Sequence, residues 1–316
     1  MRRLYPQEMQ KIAEAQRQPV STSELTRSDQ PSVTVVILSL DRLHLTRRCI
    51  DSVYANSDYP FQLLIWDNGS QPETIAYLKQ LEAVHANVQV IYSGTNVGCG
   101  GGRNRAFRLV DTDYIFSMDN DMICHADWLR ETMACVVRQA ASFVAPMRLN
   151  PAGQVWSACN ELIHRQETDT LEIARWFHDL PIAVVQSLFK DADLPTNFMS
   201  GGLGLFATRV FHEIGEFDEN YRAGFEDLDI SLRLSDQGYR VWSTVRALVT
   251  HDDEWQPHLQ ADFVYAQQRY DLDQLRCDAD HFKARWGLDV LPEKYVTRFQ
   301  QRLDLKLKAE SDRYGL

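Results

Sequence analysis

Two carboxylates, Asp119 and Asp121, stand two positions apart at the end of the apolar run 114–118. The run has the length and composition of a buried strand in a parallel sheet. Because ligands of open α/β sheets bind beyond the carboxyl ends of the strands, a substrate would lie here. Carboxylates held this close repel each other, which favours a divalent cation between them. Taken alone, the tripeptide Asp-Asn-Asp also fits a solvated turn before the next helix.

Polar residues follow three earlier strands of the same predicted sheet. Asp41 and Asp67 come directly after the first and second strands, and a carboxylate at Asp67 can accept hydrogen bonds from a base or a ribose. The loop 93–104 follows the third, and its glycines would let the backbone approach a ligand closely. We expect the next helix to begin near Arg103, so that its amides and this arginine face an anion. The loop is neither a Rossmann fingerprint nor a Walker loop.

The second half of the chain adds acids at a helix start and a histidine at a strand end. Glu226, Asp227 and Asp229 follow Gly224-Phe225. They could simply favour the helix macrodipole, or they could deliver a carboxylate into the crevice as a base. His251 ends a predicted strand beside Asp252, where it could be a structural residue or a metal ligand.

Strand and helix alternate four times in the first 120 residues or so, which is typical of a parallel sheet with crossover helices. The later pattern is looser, and residues 161–192 give no clear assignment. The predicted strands are 33–40, 61–66, 88–92, 114–118, 142–147, 154–159, 197–207, 240–244 and 247–251. The predicted helices are 44–56, 72–84, 103–110, 128–139, 208–214, 226–237, 257–286 and 292–309.

Composition limits the classes of protein to which this chain can belong. The chain has 316 residues, is 44% hydrophobic and carries a net charge of −11, so it can bury a sizeable core and has no basic surface for nucleic acid. Its six cysteines show no CxxC spacing, which is typical of reduced thiols in the cytoplasm. No apolar run approaches the ~20 residues that a membrane helix needs. We expect a cytoplasmic protein that reaches a membrane, if at all, through a partner.

Seven features occur in an order that resembles family 2-type glycosyltransferases. They are VTVVILSLDR, WDNGS, NVGCGGGRNRAF, FSMDNDM, SGGLGLFATRVFHEIGEFDENY, GFEDLDISLRLSDQGYRVW and His251, and they cover residues 33–251. The chain departs from the family pattern at Asp41-Arg42, where Asn-Arg is usual, and at Cys99 in the glycine loop. Residues 150–196 match no family element and are interpreted as acceptor-specific.

The resemblance implies an α/β GT-A fold, a Rossmann-like and mostly parallel sheet with extra C-terminal helices. It divides the chain into an N-terminal arm (1–31), a catalytic domain (32–256) and a C-terminal helical extension (257–316). Within the catalytic domain, 32–122 would bind the nucleotide and 123–256 the acceptor. The C-terminal helices could mediate a homodimer.

The resemblance also implies roles for individual residues in an inverting, metal-dependent glycosyl transfer. Asp227 would be the catalytic base, with Glu226 as the alternative. The donor, a UDP- or dTDP-sugar, would be bound by Asp41, Asp67, Asn96, Arg103 and Asp119. A divalent cation, Mn²⁺ or Mg²⁺, would be held by Asp119, Asp121 and His251. The acceptor would be a hydroxyl of a carbohydrate, a lipid-linked or a protein-linked glycan.

Two other functions fit parts of the sequence. A sugar-phosphate nucleotidyltransferase also combines a nucleotide-binding sheet with metal carboxylates, although SLDRLHL stands where its glycine-rich signature would follow the first strand. A catalytically inactive module that binds a sugar or a partner is the second alternative, because fold does not fix function.

Overall fold

The computed structural model describes residues 30–189, 192–252, 271–301 and 304. The predicted N-terminal arm lies almost wholly outside this part, as do residues 257–270 of the long predicted helix and most of the segment after residue 301. In the described part, no helix combines the length and apolar character that crossing a bilayer requires.

The first half alternates strands and helices as predicted. β-branched and aliphatic runs form strands that are buried on both faces, and amphipathic segments form the crossovers between them. The elements are β1 (Val33–Ser39), α1 (Leu43–Asn56), β2 (Gln62–Asp67), α2 (Pro72–Val84), β3 (Val88–Tyr92), α3 (Cys99–Phe107) and β4 (Tyr114–Asp119). Strand β1 lies between β2 and β4, parallel to both, and β3 extends the sheet beyond β2.

The second half adds further strands and helices. They are β5 (Met122–Cys124), α4 (Trp128–Gln139), β6 (Phe143–Leu149), β7 (Val155–Ser157), β8 (Glu161–Arg165), β9 (Thr170–Ala174), α5 (Ile182–Phe189), β10 (Asp193–Thr196), β11 (Leu203–Ala207), α6 (Thr208–Glu213), α7 (Glu226–Asp236), β12 (Val241–His251) and α8 (Leu272–Trp286). The unassigned segment 161–192 thus holds the hairpin β8–β9 and helix α5.

Two strand predictions in this half were wrong in detail. The two short strands predicted at 240–244 and 247–251 form the single strand β12, whose pairing with β6 shifts register between Thr244 and Leu248. The strand predicted over 197–207 begins only at Leu203, because residues 197–202 form a loop that ends in two glycines.

One sheet of ten strands joins the two halves. Its order is β10-β12-β6-β11-β4-β1-β2-β3, with β5 paired to β12 and β7 paired to β6. Strand β11 is antiparallel to β4 and to β6, and β12 is parallel to β6. The carboxyl ends of β1, β2, β4, β6 and β12 therefore lie along one edge of the sheet, here called the rim.

Two apolar layers cover the two faces of the sheet. On one face, helices α1, α2 and α4 pack with residues such as Ile50, Leu78 and Trp128. On the other, α3, α6 and α7 contribute Phe107, Phe211 and Ile230. These layers fix the strands so that the loops at the rim are built on a rigid base.

Helix α3 begins at Cys99 and not near Arg103 as predicted. Its glycines serve close packing, because a Cβ on Gly102 would lie 2.6 Å from Leu38 Cδ1 and 3.2 Å from Trp66 Cδ1. The helix therefore approaches β1 and β2 more closely than a helix with side chains could. Arg103 lies one turn inside the helix, facing the rim.

Candidate active site

Asp119 ends β4 at the rim and pairs with Arg103. The Arg103 guanidinium is 2% exposed, and its Nη2 donates to Asp119 Oδ1 at 2.5 Å. Burial raises the pKa of Asp119 and Arg103 lowers it, but the charges of Asp121 and Asp227 contribute a further increase, so the net shift is upward. The arginine that was expected to face an anion directly is thus buried behind the carboxylate and holds it in place.

Asp121 is buried and only partly satisfied. Its Oδ2 lies 3.5 Å from Arg42 Nη1 and 3.4 Å from His251 Nε2, whereas its buried Oδ1 has no hydrogen-bond partner among the described residues. Burial opposes ionisation, yet His251, Arg42 and Arg148 outweigh it and lower the pKa of Asp121. Asp121 is therefore an anionic side chain with an unfilled oxygen.

Asn120, between the two acids, fixes the turn that separates them. Its side-chain amide donates to Thr46 Oγ1 at 2.8 Å and to the Asp41 carbonyl at 3.3 Å. These bonds tie the end of β4 to the start of α1, so that Asp119 and Asp121 point to different surroundings although they are two residues apart.

Asp227 reaches the same crevice from the first turn of α7. Its Oδ1 accepts a hydrogen bond of 2.6 Å from the Gly201 amide, and no described residue donates to its Oδ2. The next residue, Gly202, accepts the Asp119 amide at 2.9 Å, and a Cβ on Gly202 would overlap the Asp119 carboxylate. The pair Gly201-Gly202 thus joins Asp119 and Asp227 in one arrangement.

Glu226 has a different environment from Asp227. Its Oε1 lies 3.8 Å from Arg103 Nη1, and its side chain is 16% exposed. Glu226 therefore helps to balance the charge of Arg103 beside Asp119.

The other predicted donor-binding residues line the rim at β1 and β2. Asp41 Oδ1 accepts the Gln71 amide at 2.6 Å, and Asp67 is buried with a pKa that burial raises against the hydrogen bonds from Ser70. Asn96 Oδ1 accepts from Asn68 Nδ2 and from the Gly98 amide, both at 2.9 Å. These contacts hold the rim loops together, and the binding roles of these residues remain predictions.

Some of the side chains at the rim are suitable ligands for a divalent cation. In the described residues no three His, Cys, Asp or Glu side chains form a ready-made metal cluster. The unfilled Asp121 Oδ1 and the neighbouring His251 imidazole are the oxygen and nitrogen ligands that Mn²⁺ accepts. Such a site would depend on the substrate for its remaining ligands.

Reasoning from the sequence missed three residues that shape the site: Arg42, Arg148 and Gly202. Arg42 is 5% exposed and pairs with Asp121. Arg148 stands in β6, and its charge contributes to the low pKa of Asp121. The rule that strand ends line the crevice would have found both arginines, because Arg42 follows β1 and Arg148 comes one residue before the end of β6.

Comparison with known proteins finds similarity to glycosyltransferases. The sequence model described as Glycosyl transferase family 2 matches residues 34–170. The chain is 27% identical over 233 residues to the O-antigen biosynthesis protein RfbC of Myxococcus xanthus, covering 71% of this chain and 17% of that protein. It is 23% identical over 230 residues to the O-antigen chain rhamnosyltransferase RfbN of Salmonella typhimurium, covering 71% and 68% of the two chains.

Solved structures share the fold. A crystal structure of GalNAc-T7 with UDP, GalNAc and Mn²⁺ has a TM-score of 0.58 at 14% identity, covering 96% of this chain and 63% of that one. The structure of S. aureus TarS 1-349 has a TM-score of 0.52 at 13% identity, covering 81% and 72%. Both are GT-A folds. The motif order, the fold and the sequence match thus agree in making this chain similar to the family 2 glycosyltransferases, and the family model itself covers residues 34–170.

Proposed function

We propose that this protein transfers a sugar from a nucleoside diphosphate sugar to an acceptor hydroxyl, with inversion at the anomeric carbon and with a divalent cation. The donor would be a UDP- or dTDP-sugar, and the acceptor a glycan. The observation that carries the proposal is the convergence of Asp119, Asp121, Asp227 and His251 on one rim, with an unfilled oxygen on Asp121. The structure of GalNAc-T7, which contains UDP and Mn²⁺ in a similar fold, supports the donor and the cation.

Asp227 is the better placed of the two candidate bases. The Gly201 amide holds Oδ1 and leaves Oδ2 for the proton of an acceptor hydroxyl. The α7 backbone supports this position, because Ser231 Oγ donates to the Asp227 carbonyl at 2.6 Å. Glu226, by contrast, balances Arg103. A base that removes this proton opposite the leaving group gives inversion.

Asp121 and His251 would hold the cation, which would supply Lewis-acid stabilisation of the diphosphate leaving group. Asp119 would contact the ribose or the cation through the oxygen that Arg103 leaves free. The chain's own work is to keep these groups charged and oriented. Arg42 helps to keep Asp121 ionised, and Arg103 fixes the direction of Asp119.

The test begins with isothermal titration calorimetry of UDP and dTDP, each with and without Mn²⁺. We expect one nucleotide to bind more tightly when Mn²⁺ is present. The matching nucleotide sugars are then incubated with candidate glycans, and products are identified by NMR. Transfer should release the nucleoside diphosphate and give a product of the opposite anomeric configuration.

Other outcomes would contradict the proposal. Release of pyrophosphate would identify a nucleotidyltransferase. Nucleotide binding that does not respond to Mn²⁺, without turnover of any sugar donor, would favour an inactive binding module. A product that retains the donor's configuration would remove the role assigned to Asp227.

A further inference from the structure

A pocket lies beside the rim, on the side formed by the second half of the chain. Arg148 of β6 forms one wall, and residues 157–160, which follow β7, form another. Thr196 at the end of β10 closes it, together with Phe198 and Ser200 of the loop before β11. Residues 157–160 and Thr196 belong to the segment 150–196, which lies between β6 and β11. The pocket is thus formed by β6, by the chain between β6 and β11, and by Ser243 of β12.

Strand register places Arg148 at the height of the rim carboxylates. Leu205 of β11 pairs with Phe116 of β4 and with Val144 of β6, so these three residues are level. Four residues further along each of the two parallel strands come Asn120 and Arg148. Burial lowers the pKa of Arg148, and the charges of Asp227, Asp119 and Asp121 oppose that effect, as expected of a cation that faces the catalytic crevice.

Two polar atoms of the pocket lack partners. Arg148 Nε and Asn160 Oδ1 are both buried, and neither has a hydrogen-bond partner among the described residues. Arg148 also forms no ion pair within 4.0 Å in that part of the chain, whereas Arg103 pairs with Asp119 at 2.5 Å. A buried guanidinium nitrogen and a buried amide oxygen without partners are costly unless a ligand completes them.

We propose that this pocket receives the carboxylate or phosphate group of a negatively charged acceptor saccharide, and that Arg148 binds this group. A neighbouring hydroxyl of the same sugar donates to Asn160 Oδ1. Nε–H can only donate and Oδ1 can only accept, so together they select a ligand with an anionic oxygen beside a hydroxyl. The pocket is formed by the half that carries Asp227 and not by β1–β4, which places the acceptor here. The inference rests on the proposed function.

The experiment uses the full chain, saturated with Mn²⁺ and with whichever of UDP or dTDP it binds. Calorimetry then compares three probe sugars: glucose, glucuronate and glucose 6-phosphate. We expect the better of the two anionic sugars to bind at least about tenfold more tightly than glucose, because a charge-assisted hydrogen bond is made only by the charged group. The separate carboxylate and phosphate probes show which anion the pocket prefers.

Variants connect this preference to the pocket. Arg148→Met should abolish the difference between charged and neutral sugars, and any loss of nucleotide affinity should be smaller than the loss of affinity for the anionic sugar. Arg148→Lys keeps the charge without the Nε–H, so part of the preference should remain. Arg165→Met is the matched control, since Arg165 lies in the neighbouring segment 150–196 but pairs with Glu172 at 3.2 Å, and it should change neither the sugar preference nor the nucleotide affinity. Circular dichroism confirms that each variant is folded.

Equal affinity for glucose and the anionic sugars, or no measurable binding of any probe at tens of millimolar, would overturn this inference. So would a loss of nucleotide affinity in Arg148→Met as large as the loss of sugar affinity, because Arg148 would then belong to the donor site. Failure of the proposed function is distinct: the unmodified protein would then show no Mn²⁺-dependent nucleotide binding at all.

Discussion

The acidic residues of the rim and those between α7 and α8 form two groups. The groups differ in whether every carboxylate oxygen accepts a hydrogen bond. The rim carboxylates are Asp119, Asp121 and Asp227, and each keeps an oxygen to which no described residue donates. The support carboxylates are Asp218, Asp229 and Asp278, and they join α8 to α7 and to the loop before it. Each support carboxylate receives hydrogen bonds at both oxygens.

In Asp278 and Asp229, both carboxylate oxygens accept hydrogen bonds. Asp278 Oδ2 accepts the amides of 222, 223 and 224 at 2.9, 2.6 and 3.1 Å, and its Oδ1 accepts from Gln274. Asp229 accepts from Arg233, Trp286 and Arg285. Both groups contain buried acids, so a buried acid by itself does not mark a functional site. What distinguishes the rim carboxylates is an oxygen that accepts no hydrogen bond from a described residue.

The largest effect is expected from Asp121→Asn. The change removes the charge that would bind the cation, and with it several kcal/mol of transition-state stabilisation, so transfer should fall about a thousandfold or more. Calorimetry should show that nucleotide affinity no longer responds to Mn²⁺. Asp252→Asn, which removes one charge beside His251 from a side chain paired with Arg48, should keep the Mn²⁺ response. An equal loss in both variants would mean that overall charge, and not Asp121, holds the cation.

Asp227→Asn should lower kcat about a hundredfold or more, because the amide cannot accept the proton of the acceptor hydroxyl. Melting temperature should change little, since Asn keeps an oxygen for the Gly201 amide. Glu226→Gln is the matched variant, and we expect a smaller loss from it because Glu226 acts through Arg103. The reverse order of the two kcat values would reassign the base to Glu226.

Gly202→Ala tests whether the glycine pair positions Asp119. The added methyl group would overlap the Asp119 carboxylate, which must then move away from Arg103. We expect donor affinity to fall about tenfold, the cost of one charge-assisted hydrogen bond. Gly224→Ala is a fair control, since its Cβ would make an ordinary contact 3.5 Å from Leu275. Unchanged donor affinity in Gly202→Ala would show that Asp119 does not contact the donor.

The first half of the fold could be predicted from the sequence, because its local patterns for strands and helices are clear. Runs of β-branched residues alternate with amphipathic helices in residues 33–119, and the strand ends located Asp41, Asp67 and Asp119 on one rim. The start of α3 was predicted four residues late, because three glycines disfavour a helix locally. Tertiary packing of Gly102 against Leu38 and Trp66 overrides that preference.

Other parts of the site have no local signal. The hairpin β8–β9 carries charges such as Arg165 and Glu172, which pair with each other across the strands and obscure the alternation of a strand. Arg148 is a single arginine in a strand and belongs to no motif. Its position at a strand end is its one sequence signal, and its importance becomes clear from three-dimensional facts: the register of β6, the carboxylates around it and the partner that its Nε lacks.

The smallest effect on activity is expected in the support group, from Asp278→Asn. Losing the charge that accepts three backbone amides should destabilise the fold by about 1–3 kcal/mol, seen as a lower midpoint in urea unfolding. The kcat per folded molecule should change little, because Gly201 and Ser231 hold Asp227 independently of Asp278. Asp273→Asn, at a 95% exposed position of the same helix, should leave both quantities unchanged. If Asp278→Asn instead lowered kcat as strongly as Asp227→Asn, the support carboxylates would have to be counted with the catalytic ones.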